Sequence, residues 1–226
     1  MADRSTSFIN YDRLYRFRFR NVDQQARTDV WKVISRYLYD VMGRPDSVLD
    51  PAAGRCEFIN SIPAIDRWAV DAVDHGFCDP RVTAIYSDLA DVELPPHHFG
   101  GVLVSNFLEH LPSQEQVAGV LGQLYDAVEP GGAVVVMGPN FRYTVRTYFD
   151  CADHILALTD VAIAEHLYAA GFEVERVIPR FIPFSFAGRL PPSAAMTSWY
   201  LRLPILWKVL GKQFLVIGRK PLMPET

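Results

Sequence analysis

The chain has 226 residues, half of them hydrophobic, and a formal net charge of −4. That content supports one domain with a large core, and the slight acidity argues against a broad phosphate-binding surface, so no nucleic-acid partner is expected. The three cysteines, Cys56, Cys78 and Cys151, lack metal-ligand spacing, and their odd count, with a polar amino terminus lacking a signal-peptide core, predicts a cytoplasmic protein.

Residues 1–45 read as an arm and a helix. From Tyr11 to Arg20 aromatics alternate with arginines, and a helix is expected to follow over Gln24 to Met42. Arginine beside aromatic rings suits sugars, nucleotides and carboxylates through stacking and bidentate hydrogen bonds. The arm is therefore expected as a lid, with Tyr11 and Tyr15 facing the substrate and Arg16 or Arg18 meeting a ligand carboxylate.

Residues 48–58 are the most informative. The apolar run Val48-Leu49 ends in Asp50, turns through Pro51, Ala52, Ala53 and Gly54, and resumes as an expected helix. Small residues let a ligand approach the backbone, and Gly54 tolerates conformations closed to other residues. A dinucleotide site would carry G-x-G-x-x-G here. That pattern is missing, and Asp50 suits a cation rather than a diphosphate, which points to S-adenosylmethionine. A second strand, Arg67 to Asp71, ends 21 positions after Asp50, where a doubly wound sheet places a ribose-binding carboxylate. A third, from Val82, ends at Asp88, an acceptor for an adenine amino group. The fourth, from Gly101, ends in Ser105, Asn106, Glu109 and His110.

Ser113 opens a capping box and a helix to Val128. Glu129-Pro130-Gly131-Gly132 turns into a strand, Ala133 to Met137. Thr159 or Asp160 caps a helix that stops at Gly171, Phe172 to Ile178 alternates as a half-buried strand, and Gln213 to Ile217 is the last strand. Residues 181–211 are rich in aromatics and proline and are expected as a substrate-side cover. The apolar stretch from Trp199 to Ile217 is broken by Arg202, Pro204, Lys208 and Lys212, so no membrane span is expected.

With these motifs in order, the chain resembles class I S-adenosylmethionine-dependent methyltransferases over roughly residues 46–180. The residues carrying the resemblance are the Asp50–Gly54 loop, Asp71, Ser87-Asp88-Leu89, Phe107 to Leu111, Pro130-Gly131-Gly132 and Pro139-Asn140. Ala52 and Cys56 stand where glycines are usual, and Cys56 could alter the cradle. The resemblance implies an α/β fold: a Rossmann-like, doubly wound, mostly parallel seven-stranded sheet with helices on both faces. The whole chain would be one methyltransferase domain, with arm 1–45, core 46–180, insertion 181–211 and last strand 212–219. It further implies a cofactor site of Asp50, Ala52, Gly54, Asp71, Ala72, Ser87, Asp88, Leu89, Ser105 and Asn106.

Methyl transfer to an aliphatic hydroxyl needs a base or a metal. Glu109 and His110 follow the fourth strand, and Asp150, Asp153 and His154 follow the fifth; both segments should border one crevice outside the strand ends. In one mechanism His154 is the base, oriented by Asp150 or Asp153. In the other, Glu109, His110 and His154 hold a divalent cation such as Mg. Asn106 to His110 resembles the E-x-x-E-H metal segment of ubiquinone-pathway and small-RNA ribose O-methyltransferases, with Asn106 in place of the first glutamate. The carboxyl half resembles bacterial methyltransferases of polysaccharide and glycolipid biosynthesis. That implies a sugar or oligosaccharide hydroxyl as acceptor, with Arg142, Tyr143 and Arg180 as further substrate contacts. Small-molecule or lipid-pathway methylation, RNA ribose methylation and a non-catalytic cofactor-binding module are the alternatives. A homo-oligomer is compatible with the sequence.

Overall fold

The computed structural model describes residues 9–184 and 193–222. The start of the arm and the middle of the 181–211 segment lie outside the described residues.

Seven strands form one sheet: β1 Ser47–Asp50, β2 Asp66–Asp71, β3 Thr83–Tyr86, β4 Phe99–Ser105, β5 Val128–Pro139, β6 Glu173–Ile178 and β7 Gln213–Arg219. Their order is β3-β2-β1-β4-β5-β7-β6. β1 to β5 run parallel, and β7 is antiparallel to both β5 and β6. The chain thus winds outward from β1 in one direction and from β4 in the other. A crevice lies outside the carboxyl ends of these two strands, where the winding reverses.

Helices cover both faces: α1 Tyr11–Arg18, α2 Gln24–Met42, α3 Gln114–Ala127, α4 Phe141–Thr144, α5 Asp160–Ala169, α6 Ala194–Leu201 and α7 Pro204–Leu210. Asp23 caps α2 by accepting from the Ala26 N–H at 3.0 Å, and Gly43 ends it at φ 94°. Residues of α2 (Ile34, Leu38), α6 (Leu201) and α7 (Trp207) join Leu103, Val135 and Leu215 in the core on one face. α3 and α5 bury Leu121, Leu124, Ile163 and Leu167 with Val102, Val134 and Val216 on the other. Alternation along a strand sends neighbouring residues to opposite layers, which is why β4, β5 and β7 read as continuous apolar runs.

Two expectations are corrected. No regular helix follows β1: residues 51–58 are turns, and Ile59–Ser61 is a single 3-10 turn. Gly54 and Cys56 both hold left-handed backbone, at φ 50° and 54°, and that interrupts an α-helix. The Glu129–Gly132 turn lies inside β5 as an insertion, because Val128 pairs with Phe99 while Ala133 pairs with Gly101. Among the described residues no helix is long and apolar enough to cross a membrane.

Candidate active site

A cleft of about 2620 Å³ opens at the carboxyl ends of β1, β2 and β4. All ten residues expected to hold a cofactor line it: Asp50, Ala52, Gly54, Asp71, Ala72, Ser87, Asp88, Leu89, Ser105 and Asn106.

The β1–β3 side is built from backbone and carboxylates. Asp71, the last residue of β2, accepts from the Gly54 N–H at 2.7 Å and from the Val73 N–H at 3.1 Å. Both bonds fix its carboxylate at the strand tip, and its remaining lone pairs stay available to ligand hydroxyls. A side chain at Gly54 would meet nothing within 4 Å, so the loop leaves open space where a ligand can touch the backbone. Cys56 does not disturb that cradle. It is buried with Phe58 and Ile59 in the core and is not among the residues lining the cleft. Asp50 is buried, and burial together with the nearby Asp71 charge pushes its carboxyl up to about 8. A cation bound beside it would reverse that shift. Asp88 lies two residues past the end of β3 rather than at its end as expected, and it spends one oxygen on the Ala90 N–H at 3.0 Å.

The other wall is assembled from three distant segments. After β4, Glu109 is buried, and its carboxyl is raised above the ordinary range first by burial. Its backbone oxygen accepts from the Ile155 and Leu156 N–H groups at 2.8 and 3.0 Å, which ties the segment after β5 to it. His110 Nδ1 lies 2.8 Å from the Asp153 backbone oxygen. A carbonyl only accepts, so Nδ1 donates in this bond and Nε2 points away from it. His154 packs at 5.2 Å from the His110 ring and 4.7 Å from Tyr148. Burial, then the nearby His110, lowers it to about 4, leaving a neutral imidazole at neutral pH. One ligand atom each from Glu109, His110 and His154 lies within 4.8 Å of the others. Two imidazoles beside a carboxylate are a suitable donor set for a divalent cation, and a carbonyl fixing the second nitrogen of a ligating histidine is the usual support.

Asp153 does not line the cleft, and its carboxylate pairs with Arg18 rather than orienting His154 as expected. Its side chain is 1% exposed and forms an ion pair with Arg18 of α1. Burial would raise its carboxyl, but the Arg18 hydrogen bond and the charges of His110 and Arg18 outweigh that and lower it. Asp150 is exposed at the cleft wall. Arg16 and Arg18 both line the cleft, and Arg18 is paired there with Asp153. Tyr11 and Tyr15 line it too. The Tyr15 hydroxyl is pushed up to about 12, first by burial and then by Asp153.

Three expected substrate contacts lie elsewhere. Arg142 and Tyr143 border a separate hollow of about 310 Å³. The Arg180 guanidinium donates to the Gly211 and Val209 carbonyls at 2.8 and 2.5 Å, capping the end of α7, and sits over the Tyr143 ring at 4.8 Å. Its donors are spent on orphan helix carbonyls. Sequence reasoning missed Phe184, Tyr200, Lys212 and Gln213 on the cleft wall. It also missed the bidentate Arg27–Glu57 pair that ties α2 to the loop after β1. Their only sequence signal was membership in aromatic or charged stretches.

No family model matches the sequence, and no curated protein does. Solved structures match the fold. One is a SAM-dependent methyltransferase from Archaeoglobus fulgidus, with TM-score 0.68 and 20% identity over 93% of this chain and 100% of that one. Another is the Burkholderia thailandensis 1,6-didemethyltoxoflavin-N1-methyltransferase with bound 1,6-didemethyltoxoflavin and S-adenosylhomocysteine. It has TM-score 0.57 and 19% identity over 98% of this chain and 93% of that one. The 4+2 cyclase SpnF also matches, with TM-score 0.57 and 14% identity over 85% and 81%. The chain therefore has the Rossmann-like methyltransferase fold, a scaffold that a cyclase also uses, so activity must be argued from the site.

Proposed function

We propose that the protein is an S-adenosylmethionine-dependent O-methyltransferase acting on a hydroxyl of a sugar or oligosaccharide. The observation that carries the reading is the placement of Glu109, His110 and His154 on the same cleft as Asp50, Gly54 and Asp71. One set of residues suits a cationic nucleoside, and the other suits activation of a hydroxyl.

S-adenosylmethionine supplies an electrophilic methyl on a sulfonium. Asp71 would accept from the ribose hydroxyls, Asp88 would face the adenine amino group, and buried Asp50 would compensate positive charge. Catalysis is then largely alignment of an acceptor oxygen with the methyl–sulfur bond. The hydroxyl proton needs a destination, and the second wall offers one. Glu109, His110 and His154 would hold a divalent cation, which lowers the pKa of a bound hydroxyl. Two imidazoles with one carboxylate suit Mn or Zn better than Mg, which prefers oxygen donors. A second, metal-free reading has the neutral His154 imidazole take the proton directly, which its protonation state allows. Aromatic rings on the cleft wall, including Tyr15, Trp31, Phe107 and Tyr200, provide faces for a sugar ring.

The test is methyl transfer from labelled S-adenosylmethionine to mannose, glucose and rhamnose oligosaccharides, with added Mn or Mg and with chelator. Transfer abolished by chelator and restored by metal supports the cation site. Transfer indifferent to chelator supports His154 as the base. Cofactor binding with no transfer to any glycan overturns the sugar acceptor and directs the search to RNA ribose, lipid and small-molecule hydroxyls.

A further inference from the structure

Helices α6 and α7 carry surface chemistry that the reaction does not use. They pack together, with the Trp207 indole N–H donating to the Tyr200 carbonyl at 2.9 Å. Each helix nevertheless leaves a pair of large apolar side chains in solvent. On α6 these are Met196 and Trp199, three residues apart and so on one face; Trp199 is 69% exposed. On α7 they are Ile205 and Val209, four apart, at 70% and 67%, with Leu210 beside them at 52%. More than half of a tryptophan and three aliphatics lies in solvent over two short helices, a cost that a freely dissolved surface avoids.

Charge selects the partner. The chain as a whole is acidic, yet between Glu175 and Glu225 it has eight arginines and lysines and no aspartate or glutamate. Of these, Arg202, Lys208 and Lys212 are exposed on and beside the two helices. Cations flanking exposed tryptophan and aliphatic side chains are what an element lying in a membrane interface requires. The apolar groups enter the acyl boundary, the indole sits at headgroup level, and the cations reach lipid phosphates. A protein partner or a second copy would favour an apolar face without a surrounding set of same-sign charges.

We propose that the α6–α7 face docks the protein onto an anionic phospholipid bilayer. The same segment borders the cleft through Met196, Thr197, Tyr200, Leu210 and Lys212, so docking would set the cleft mouth beside the headgroup layer. The docking claim does not depend on methyl transfer.

Flotation of the full chain with vesicles tests it, using phosphatidylcholine alone and phosphatidylcholine with one-third phosphatidylglycerol. The expected result is flotation with the anionic vesicles, little with the neutral ones, and release by raised salt. Two variants avoid the residues lining the cleft: Trp199→Ser/Ile205→Ser/Val209→Ser, expected to stay in the aqueous fraction, and Lys208→Glu, expected to weaken anionic binding about fivefold or more. Thermal unfolding at the wild-type midpoint confirms that each variant is folded. The proposal is overturned if the wild type floats with neither vesicle at low salt, or if the triple variant floats as the wild type does. It is also overturned if light scattering shows a dimer that the triple substitution dissociates, because the face then belongs to a second copy of the chain.

Discussion

The two walls of the cleft are built on different principles. On the β1–β3 wall the ligand-facing groups are strand-end carboxylates and loop backbone, and their contacts are short in sequence: Gly54 to Asp71 and Asp50 to its own loop. On the opposite wall they come from α1, the segment after β4 and the segment after β5. These are joined by the Arg18–Asp153 pair across 135 positions and the His110–Asp153 bond across 43. A wall set by strand register survives loss of one side chain locally. A wall set by long-range polar contacts is expected to lose geometry and stability together.

The largest difference should appear in turnover. Glu109→Gln and His154→Ala are each expected to lower kcat roughly a hundred- to ten-thousand-fold, with cofactor affinity nearly unchanged; single-turnover kinetics beside equilibrium titration would separate the two. An equal loss in both quantities would mean that the walls are not independent.

Arg18→Ala comes next, and it acts on stability. It strands Asp153, whose side chain is 1% exposed, without a counter-charge. Because Arg18 keeps some exposure, the expected loss is about 2–3 kcal/mol in denaturant unfolding. Asp153→Asn should recover part of that loss in the double variant, since it removes the unpaired charge. Failure to recover would show that packing rather than charge holds α1 down.

On the cofactor wall, Asp71→Ala should weaken S-adenosylmethionine binding about ten- to a hundredfold, through loss of charge-assisted hydrogen bonds worth roughly 1.5–3 kcal/mol, with little change in turnover at saturation.

The smallest effect is a pH dependence of that affinity. Asp50 in the ligand-free protein is raised to about 8, so it holds its proton at neutral pH, and a cationic ligand favours the ionised form. Affinity should rise as pH increases toward about 8 and level off above it, and Asp50→Asn should flatten the profile. The raised value also means that the contribution of Asp50 itself to ligand-free stability is fully present below the ordinary carboxylate pKa and is lost as pH climbs to about 8. An affinity that falls over this range would place the cation elsewhere.

The same division governs what could be read from the sequence. Strand ends follow from hydrophobic periodicity and the acid that stops it, so Asp50 and Asp71 could be placed at the ends of β1 and β2 by spacing alone. Helix α2 was expected at Gln24 to Met42 and is found there, bracketed by the Asp23 cap and Gly43. Backbone dihedrals were not: nothing in the residues 51–58 marked Cys56 as left-handed, and the expected helix there does not form. The grouping of Glu109, His110 and His154 followed from topology, but the use of Asp153 did not, because its partner lies on α1. Arg180 looked like a ligand contact because its residue type suits one. Its role was decided by α7, whose end offers carbonyls that the sequence does not display.

Calorimetric titration of S-adenosylmethionine into the wild type, Asp71→Ala and Glu109→Gln tests the division most directly. We predict one site per chain, binding that is ten- to a hundredfold weaker in Asp71→Ala, by the roughly 1.5–3 kcal/mol its hydrogen bonds are worth, and binding that is nearly unaltered in Glu109→Gln. No binding by the wild type, or equal binding by wild type and Asp71→Ala, would contradict the assignment of the β1–β3 wall to the cofactor.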